Sequence, residues 1–125
     1  MILRKPYFVL LFGGVVSLGC SGSDVTTVCD SAAYPGIVVD VRDSVTNALV
    51  GRGSAVFVRQ GAVVVDSAYN TLVSDGPYSL VYENSGPFTV FVTKTGYQPW
   101  SKANVQPTRG TCHVNAVTVT ARLQK

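Results

Sequence analysis

The single histidine of this 125-residue chain, His113, directly follows Cys112, and a thiol beside an imidazole is the pair that cysteine enzymes use for nucleophilic attack. Paired carboxylates for glycoside hydrolysis would have to come from the acidic residues at Asp40, Asp43, Asp66, Asp75 and Glu83. Most of these acids fall in turn-like segments, where solvated carboxylates are common. Cys112 cannot be a nucleophile if it forms a disulfide. We therefore expect no catalytic residues and no enzymatic activity.

Metal and cofactor sites are also not expected. Asp40 and Asp43 could contribute to a calcium site, but the chain has no dense loop of alternating acids of the kind that binds calcium. One histidine and the cysteine spacing do not fit zinc. Gly51-Arg52-Gly53 matches a loop between strands and not a phosphate-binding motif.

The N-terminal segment predicts export. Arg4 and Lys5 precede the uncharged run YFVLLFGGVVSL, which suits the apolar region of a signal peptide and is shorter than the roughly 20 residues that span a bilayer as a helix. We interpret residues 1–19 as a signal peptide. The alternative of an uncleaved membrane anchor fits less well, because the run is short and contains two glycines.

Ser17-Leu18-Gly19-Cys20 resembles the lipobox of a bacterial lipoprotein. The small Gly19 suits the signal peptidase, and the resemblance implies that the thiol of Cys20 carries a diacylglycerol. Ser17 and Leu18 stand in the reverse of the usual order, so an ordinary secretory signal remains the alternative. The resemblance predicts a cell-envelope protein held by lipid on the outer membrane, at its periplasmic or surface face, with residues 20–35 as a polar tether.

Loss of residues 1–19 changes the charge. Without Arg4 and Lys5, eight Lys and Arg face seven Asp and Glu, so the net charge falls from +3 to +1. The remaining basic residues are scattered from Arg42 to Lys125. Nucleic-acid binding needs clustered basic residues, and we expect none here.

Cys29 and Cys112 remain as a pair once Cys20 takes lipid. In an oxidising compartment such a pair forms a disulfide, and this one would close a loop of about 84 residues. The alternative is two unpaired buried cysteines. A disulfide would tie the start of the domain to its last strand.

Apolar alternation predicts an all-β domain over residues 36–125. Candidate strands begin at Ile37 and cover 54–60, 62–69, 78–82, 88–94, 98–105 and 112–123, separated by Gly-, Asn- and Pro-containing turns. Pro99 marks 98–105 as an edge strand. About seven short strands without helical periodicity indicate an antiparallel, immunoglobulin-like β-sandwich.

Three motifs in this region resemble the carboxypeptidase regulatory-like domain, a transthyretin-like (prealbumin-like) β-sandwich. They are the opening Gly36–Asp40 with Asn47–Val50 and Gly53–Val56, the strand entry Asp75-Gly76-Pro77-Tyr78-Ser79-Leu80, and Gly86–Val92 followed by Gly96-Tyr97. The segment 59–70 is longer than the family pattern, and the Cys29/Cys112 pair is not a general family feature. The resemblance implies a non-catalytic spacer, stabiliser or binding module.

Two functions follow from these observations. The first is a non-enzymatic envelope lipoprotein whose β-sandwich serves structure or protein interaction. The second is a module that binds carbohydrate or another ligand through an aromatic surface patch formed by Tyr97, Trp100 and Lys102. The competing interpretation of Trp100 is a ring that covers one end of the sandwich. Expected partners are the membrane and an envelope protein or glycan, and the sequence does not indicate the oligomeric state.

Overall fold

The structure, a computed structural model, describes residues 26–70 and 74–125 together with Gly19 and Gly22. The predicted signal peptide, apart from Gly19, and the predicted lipidation residue Cys20 lie outside the described residues. In the described part of the chain there are strands, turns and irregular segments, and no helix. The all-β prediction is confirmed.

Strands alternate with short turns along the described chain. In order they are β1 Ile37–Asp43, β2 Ser54–Gln60, β3 Val63–Tyr69, β4 Tyr78–Leu80, β5 Phe88–Lys94, β6 Trp100–Val105, β7 Thr108–Arg109, β8 Val114–Asn115 and β9 Val117–Leu123. The strands of three or more residues number seven in the described ranges, as expected. The bounds of β2 and β5 are those that the alternation predicts.

Two sheets form the layers of the sandwich. One has the strand order β4-β1-β9 and the other β3-β2-β5-β6, while β7 and β8 form a separate short ladder. All the pairs are antiparallel except β1 with β9, which run parallel from Ile37 opposite Val117 to Asp43 opposite Leu123. A parallel pair needs a long connection, and here the whole domain supplies it. The predicted β-sandwich is therefore confirmed, with one parallel pair that the sequence analysis did not foresee.

The core lies between the two sheets. Successive residues of a strand point to opposite faces, so each long strand gives alternate side chains to the interior. Val39 on β1, Val56 on β2, Val90 on β5 and Val119 on β9 are all fully or almost fully buried. Burial of one such side chain contributes roughly 1.5–3 kcal/mol before the entropy cost of ordering it. Packing of alternate valines holds the two layers together.

Four predicted strands are shorter than expected, and the one predicted at 62–69 differs by a single residue. β4 stops at Leu80 because Val81 and Glu83 adopt left-handed backbone angles, with φ of 49° and 53°. The last long strand begins at Val117 and not at Cys112, since residues 114–115 pair with β7 instead. β6 is the edge strand of its sheet, as Pro99 indicates, and it begins at Trp100.

The sandwich has two ends, which the strand registers define. The tether end contains residues 26–36, the β2–β3 turn and residues 81–87 and 106–116, because Ile37 lies opposite both Leu80 and Val117. The far end contains residues 44–53, 74–77, 95–99 and 124–125. The β2–β3 turn lies at the tether end as well. Asp66, in the strand that follows this turn, accepts a hydrogen bond of 2.7 Å at its Oδ2 from the N–H of Val81, which is at that end.

Candidate functional site

A cluster of polar and sulfur side chains joins the predicted tether to the sandwich at the tether end. Three separate segments supply it: the chain before β1, the turn after β4, and the chain before β8. We call it the His113 cluster, and its members are Cys29, Asp30, Tyr34, Glu83, Cys112 and His113.

His113 lies between two carboxylates. Its Nδ1 is 2.7 Å from Oε1 of Glu83, and its Nε2 is 2.9 Å from Oδ1 of Asp30. The Asp30 contact has the distance of an ion pair but not the alignment of a hydrogen bond. The Tyr34 ring covers the imidazole at a centroid distance of 4.3 Å. Because both ring nitrogens face carboxylates, the imidazole is placed to hold chain segments together and not to activate a nucleophile.

Glu83 receives hydrogen bonds from two backbone segments besides His113. The N–H of Tyr34 donates to its Oε1 at 2.9 Å, and the N–H of Val114 donates to its Oε2 at 3.2 Å. In return the N–H of Glu83 donates to the carbonyl of Tyr34 at 2.9 Å. The Tyr34 N–H is the main cause that lowers the pKa of Glu83, helped by His113 and Val114 against the opposing effect of burial. The carboxylate thus binds the tether, β8 and the turn after β4 in one place.

The disulfide between Cys29 and Cys112 is present, with the two Cα atoms 5.2 Å apart. This pairing agrees with the sequence prediction. Because the Cys112 sulfur is bonded to Cys29, it is not available as the thiol that a Cys112/His113 enzyme would need. It also fastens the predicted tether from Cys29 onward. The part of residues 20–35 that can act as a free tether therefore precedes Cys29.

The predicted aromatic patch is spread over the far half of the molecule. Tyr97 and Trp100 are both half-buried and pack against the core, while Lys102 is exposed on β6. Tyr97 borders an open groove of about 410 Å³ with Tyr69, Asn70 and Thr93, whereas Trp100 borders another of about 300 Å³ with Arg122. The two rings thus face different grooves, and ligand binding at this patch stays a prediction.

Tyr97 is linked to Asp43, the last residue of β1. Its hydroxyl donates to Oδ2 at 2.9 Å, and Oδ1 accepts from the N–H groups of Val45 and Thr46 at 2.8 and 2.9 Å. The two backbone donors, Thr46 first, and then the Tyr97 hydroxyl lower the pKa of Asp43 to about 2. The same bond is the main cause that raises the pKa of Tyr97. These contacts hold the turn at the far end.

Two of the other acids considered for catalysis, Asp66 and Asp75, also have structural contacts. Asp75 accepts from the N–H of Arg52 at 3.2 Å, and Asp66 accepts from Val81 as described above. Within residues 26–70 and 74–125, no group of three or more histidine, cysteine or acidic side chains is arranged to hold a metal ion. Four of the candidate carboxylates thus close turns or join segments, namely Asp43, Asp66, Asp75 and Glu83.

Two features of the tether end are not predicted by the sequence. The first is the His113 cluster, which brings together residues from positions 29 to 113 and has no local motif. The second is the exposure of three consecutive valines, Val63, Val64 and Val65, in β3. Their high β propensity predicted a strand correctly, but the only signal for exposure was their nearness to the Gly61 turn.

No helix in the described ranges is long and apolar enough to cross a membrane. Compared with models of known protein families and with curated proteins, the sequence matches none of them.

Proposed function

We propose that this chain is a non-enzymatic lipoprotein of the bacterial cell envelope, in which a carboxypeptidase regulatory-like β-sandwich serves as a structural or protein-interaction module. The signal peptide would direct export, and lipid on Cys20 would hold the domain at the membrane. The observation that carries the proposal is the disulfide between Cys29 and Cys112. Disulfides persist in exported proteins and are rare in the cytosol.

The His113 cluster supports the same proposal. A module held by a lipid must keep its fold when the chain between lipid and domain is pulled. The disulfide and the contacts of Asp30 and Tyr34 with His113 all lie where the tether meets the sandwich. A pull on Cys20 would therefore reach a covalent cross-link before it reached β1.

The chemistry of the cluster supports a non-enzymatic role. Cys112 is in the disulfide and His113 has a carboxylate at each ring nitrogen, so a nucleophile and a free base are both lacking there. A broad hydrolase screen with the purified chain tests this point, and we expect no turnover. Turnover that survived His113→Ala would contradict the proposal and place catalysis elsewhere in the molecule.

The anchor is tested by the intact mass of protein extracted from membranes. We expect cleavage before Cys20, the added mass of acyl groups, and the loss of two hydrogens for the disulfide. Cys20→Ser is the matched control, because it removes the lipid acceptor and leaves the pair Cys29 and Cys112. Cleavage elsewhere, or an unmodified Cys20 in the membrane fraction, would contradict the lipid anchor.

The second function is glycan binding near Tyr97 and Trp100, each of which borders its own open groove lined with polar side chains. The fluorescence of Trp100 separates the two functions. A ring that only packs against the core emits at short wavelength and does not respond to glycans. Quenching by an oligosaccharide, with a midpoint that shifts in Tyr97→Phe, would support the second function.

A further inference from the structure

The exposed apolar side chains of the described structure gather at one end. Nine large hydrophobic residues are exposed in the described ranges, and three of them, Val45, Leu49 and Tyr69, lie at the far end. The six at the tether end are Val28, Tyr34, Val63, Val64, Val65 and Tyr82. Contiguous exposed apolar surface marks a site that meets a partner, and among these residues the three adjacent valines, Val63 to Val65, are contiguous.

The most exposed part of this surface is the tip of the β2–β3 hairpin. Val63, Val64 and Val65 are 64%, 47% and 40% exposed, and Gly61 and Ala62 form the turn before them. The tip extends beyond the core, since Arg59 and Gln60, which pair with Val64 and Val63, are exposed as well. The hairpin also contains a β-bulge. Val58 lies opposite Asp66 and Arg59 lies opposite Val64, so Val65 is an extra residue in β3.

The same bulge argues against a protein strand as the partner. β3 is an edge strand, and its free edge could in principle pair with another chain. A bulge at Val65 and a charged side chain at Asp66 that points toward the other sheet both hinder such pairing. These features favour a partner that meets the valine side chains and not the strand edge, and the apolar interior of a lipid bilayer is such a partner.

We propose that the tether end of the sandwich lies against a lipid bilayer, with the tip formed by residues 61–65 entering its interface. This inference rests on the proposed lipid anchor. Cys29 is nine positions after Cys20, so a chain held by lipid at Cys20 keeps the disulfide within about 30 Å of the membrane. Cys29 is at the tether end, so this end is the part of the sandwich that the anchor keeps close to the bilayer.

Other side chains at the tether end suit the interface. Tyr34 and Tyr82 belong to the aromatic type that is enriched where membrane and water meet. Arg59 precedes the tip and Arg109 is exposed on β7, so both can approach anionic headgroups. The acids of this end are already in contact with other groups: Asp30 and Glu83 with His113, and Asp66 with Val81.

The test uses tryptophan as a depth probe in the full chain. Val64→Trp reports on the tip, and Val45→Trp, at a residue 90% exposed at the far end, is the matched control. Both carry Trp100→Phe. The lipidated proteins are placed in phosphatidylethanolamine–phosphatidylglycerol vesicles that contain brominated phosphatidylcholine. We expect the tryptophan emission of V64W to move to shorter wavelength on vesicles and to be mostly quenched by the brominated lipid. The emission of V45W should be the same with and without bromine.

The outcomes separate the inference from the anchor that it rests on. If the mass shows acylated Cys20 and V64W is quenched no more than V45W, the membrane contact is overturned and the anchor stands. If the mass shows no acylation, the anchor fails, and both proteins are added to the vesicles from solution. If V64W is then quenched and V45W is not, the membrane contact is supported. If V64W is not quenched, the membrane contact is overturned. If Trp100→Phe does not fold, the same comparison is made with Trp100 retained and its emission subtracted.

Discussion

Asp66 and Val81 join the two sheets of the sandwich at their open edge. Oδ2 of Asp66, in the edge strand β3, accepts a hydrogen bond of 2.7 Å from the N–H of Val81, the residue after β4. Val81 is buried, at 5% exposure. The contact crosses from the four-stranded sheet to the three-stranded sheet. It links their edge strands, β3 and β4, which belong to different sheets.

Replacement of Asp66 by alanine should destabilise the domain by about 1–3 kcal/mol, since a buried N–H then loses its partner. Asp66→Asn keeps an oxygen acceptor and should retain most of the stability. Urea unfolding of the two variants measures the difference. An equal loss of stability in both variants would show that the charge of Asp66, and not its oxygen acceptor, stabilises the domain.

Loss of the disulfide should lower the free energy of unfolding by up to about 4–5 kcal/mol in the double variant Cys29→Ala/Cys112→Ala, because the closed loop is long. The positions are 83 apart in the sequence. Urea denaturation of the oxidised chain and the double variant gives the value, and Cys20→Ser serves as the control for a cysteine outside the pair. A double variant as stable as the oxidised chain would assign the fastening of the tether to the His113 contacts alone.

The stability of the far-end turn should depend on acid pH through Asp43. Its pKa in the folded chain is about 2, against an ordinary value of 3.8. The lowered pKa means that the contribution is fully present above the ordinary value and is lost as pH falls toward the folded one. Thermal unfolding of Asp43→Asn should therefore begin at lower temperature at neutral pH, with the gap to the parent chain closing between about pH 4 and pH 2. A gap that stayed constant through this window would contradict the assignment.

Tyr97→Phe tests one of the donors that lower the pKa of Asp43. The variant removes the hydroxyl at 2.9 Å and keeps the two backbone donors, so the pKa of Asp43 should rise only part of the way to its ordinary value. The aromatic ring and its packing on the core remain. NMR titration of the Asp43 carboxyl measures the shift, and Tyr69→Phe, in an exposed tyrosine of β3, is a suitable control. An unchanged titration in Y97F would mean that the hydroxyl bond does not form in solution.

The stability of the tether end should depend on acid pH through Glu83. Its pKa is lowered from 4.5, chiefly by the N–H of Tyr34. The stabilising contribution is complete above that ordinary value and declines as pH falls through the lowered pKa. Glu83→Gln should unfold at lower temperature than the parent chain at neutral pH, and hydrogen exchange of the Tyr34 and Val114 amides should be faster in it. Protection of both amides equal to that in the parent would show that Glu83 does not fasten the tether.

The local signals of the sequence were sufficient for most strands. β2 and β5 were predicted with their bounds because their apolar alternation is uninterrupted and turn residues stand at both ends. The edge position of β6 followed from Pro99, which has no N–H for a ladder. The Cys29/Cys112 pair followed from counting cysteines, once a separate role for Cys20 was assumed. In each case the deciding property belongs to a short segment or to composition.

The features that the sequence did not reveal depend on contacts between distant segments. The parallel pairing of β1 with β9 brings residues 37 and 117 together, and nothing near either residue indicates a parallel partner. The prediction that the last strand begins at Cys112 was wrong by five residues, because the short ladder with β7 competes for residues 114–115. The aromatic pair Tyr97 and Trp100 is close in sequence but borders different grooves.

By itself, the sequence determined that this chain is a β-sandwich with a cysteine pair, since strand alternation and turn chemistry act over a few residues. The tertiary structure alone decided which residues meet at the tether end: His113 between Asp30 and Glu83, and a bulged hairpin that leaves Val63, Val64 and Val65 exposed. The physical reason is that burial, ion pairing and sheet edges are properties of the assembled layers, and residues far apart in the chain create them together.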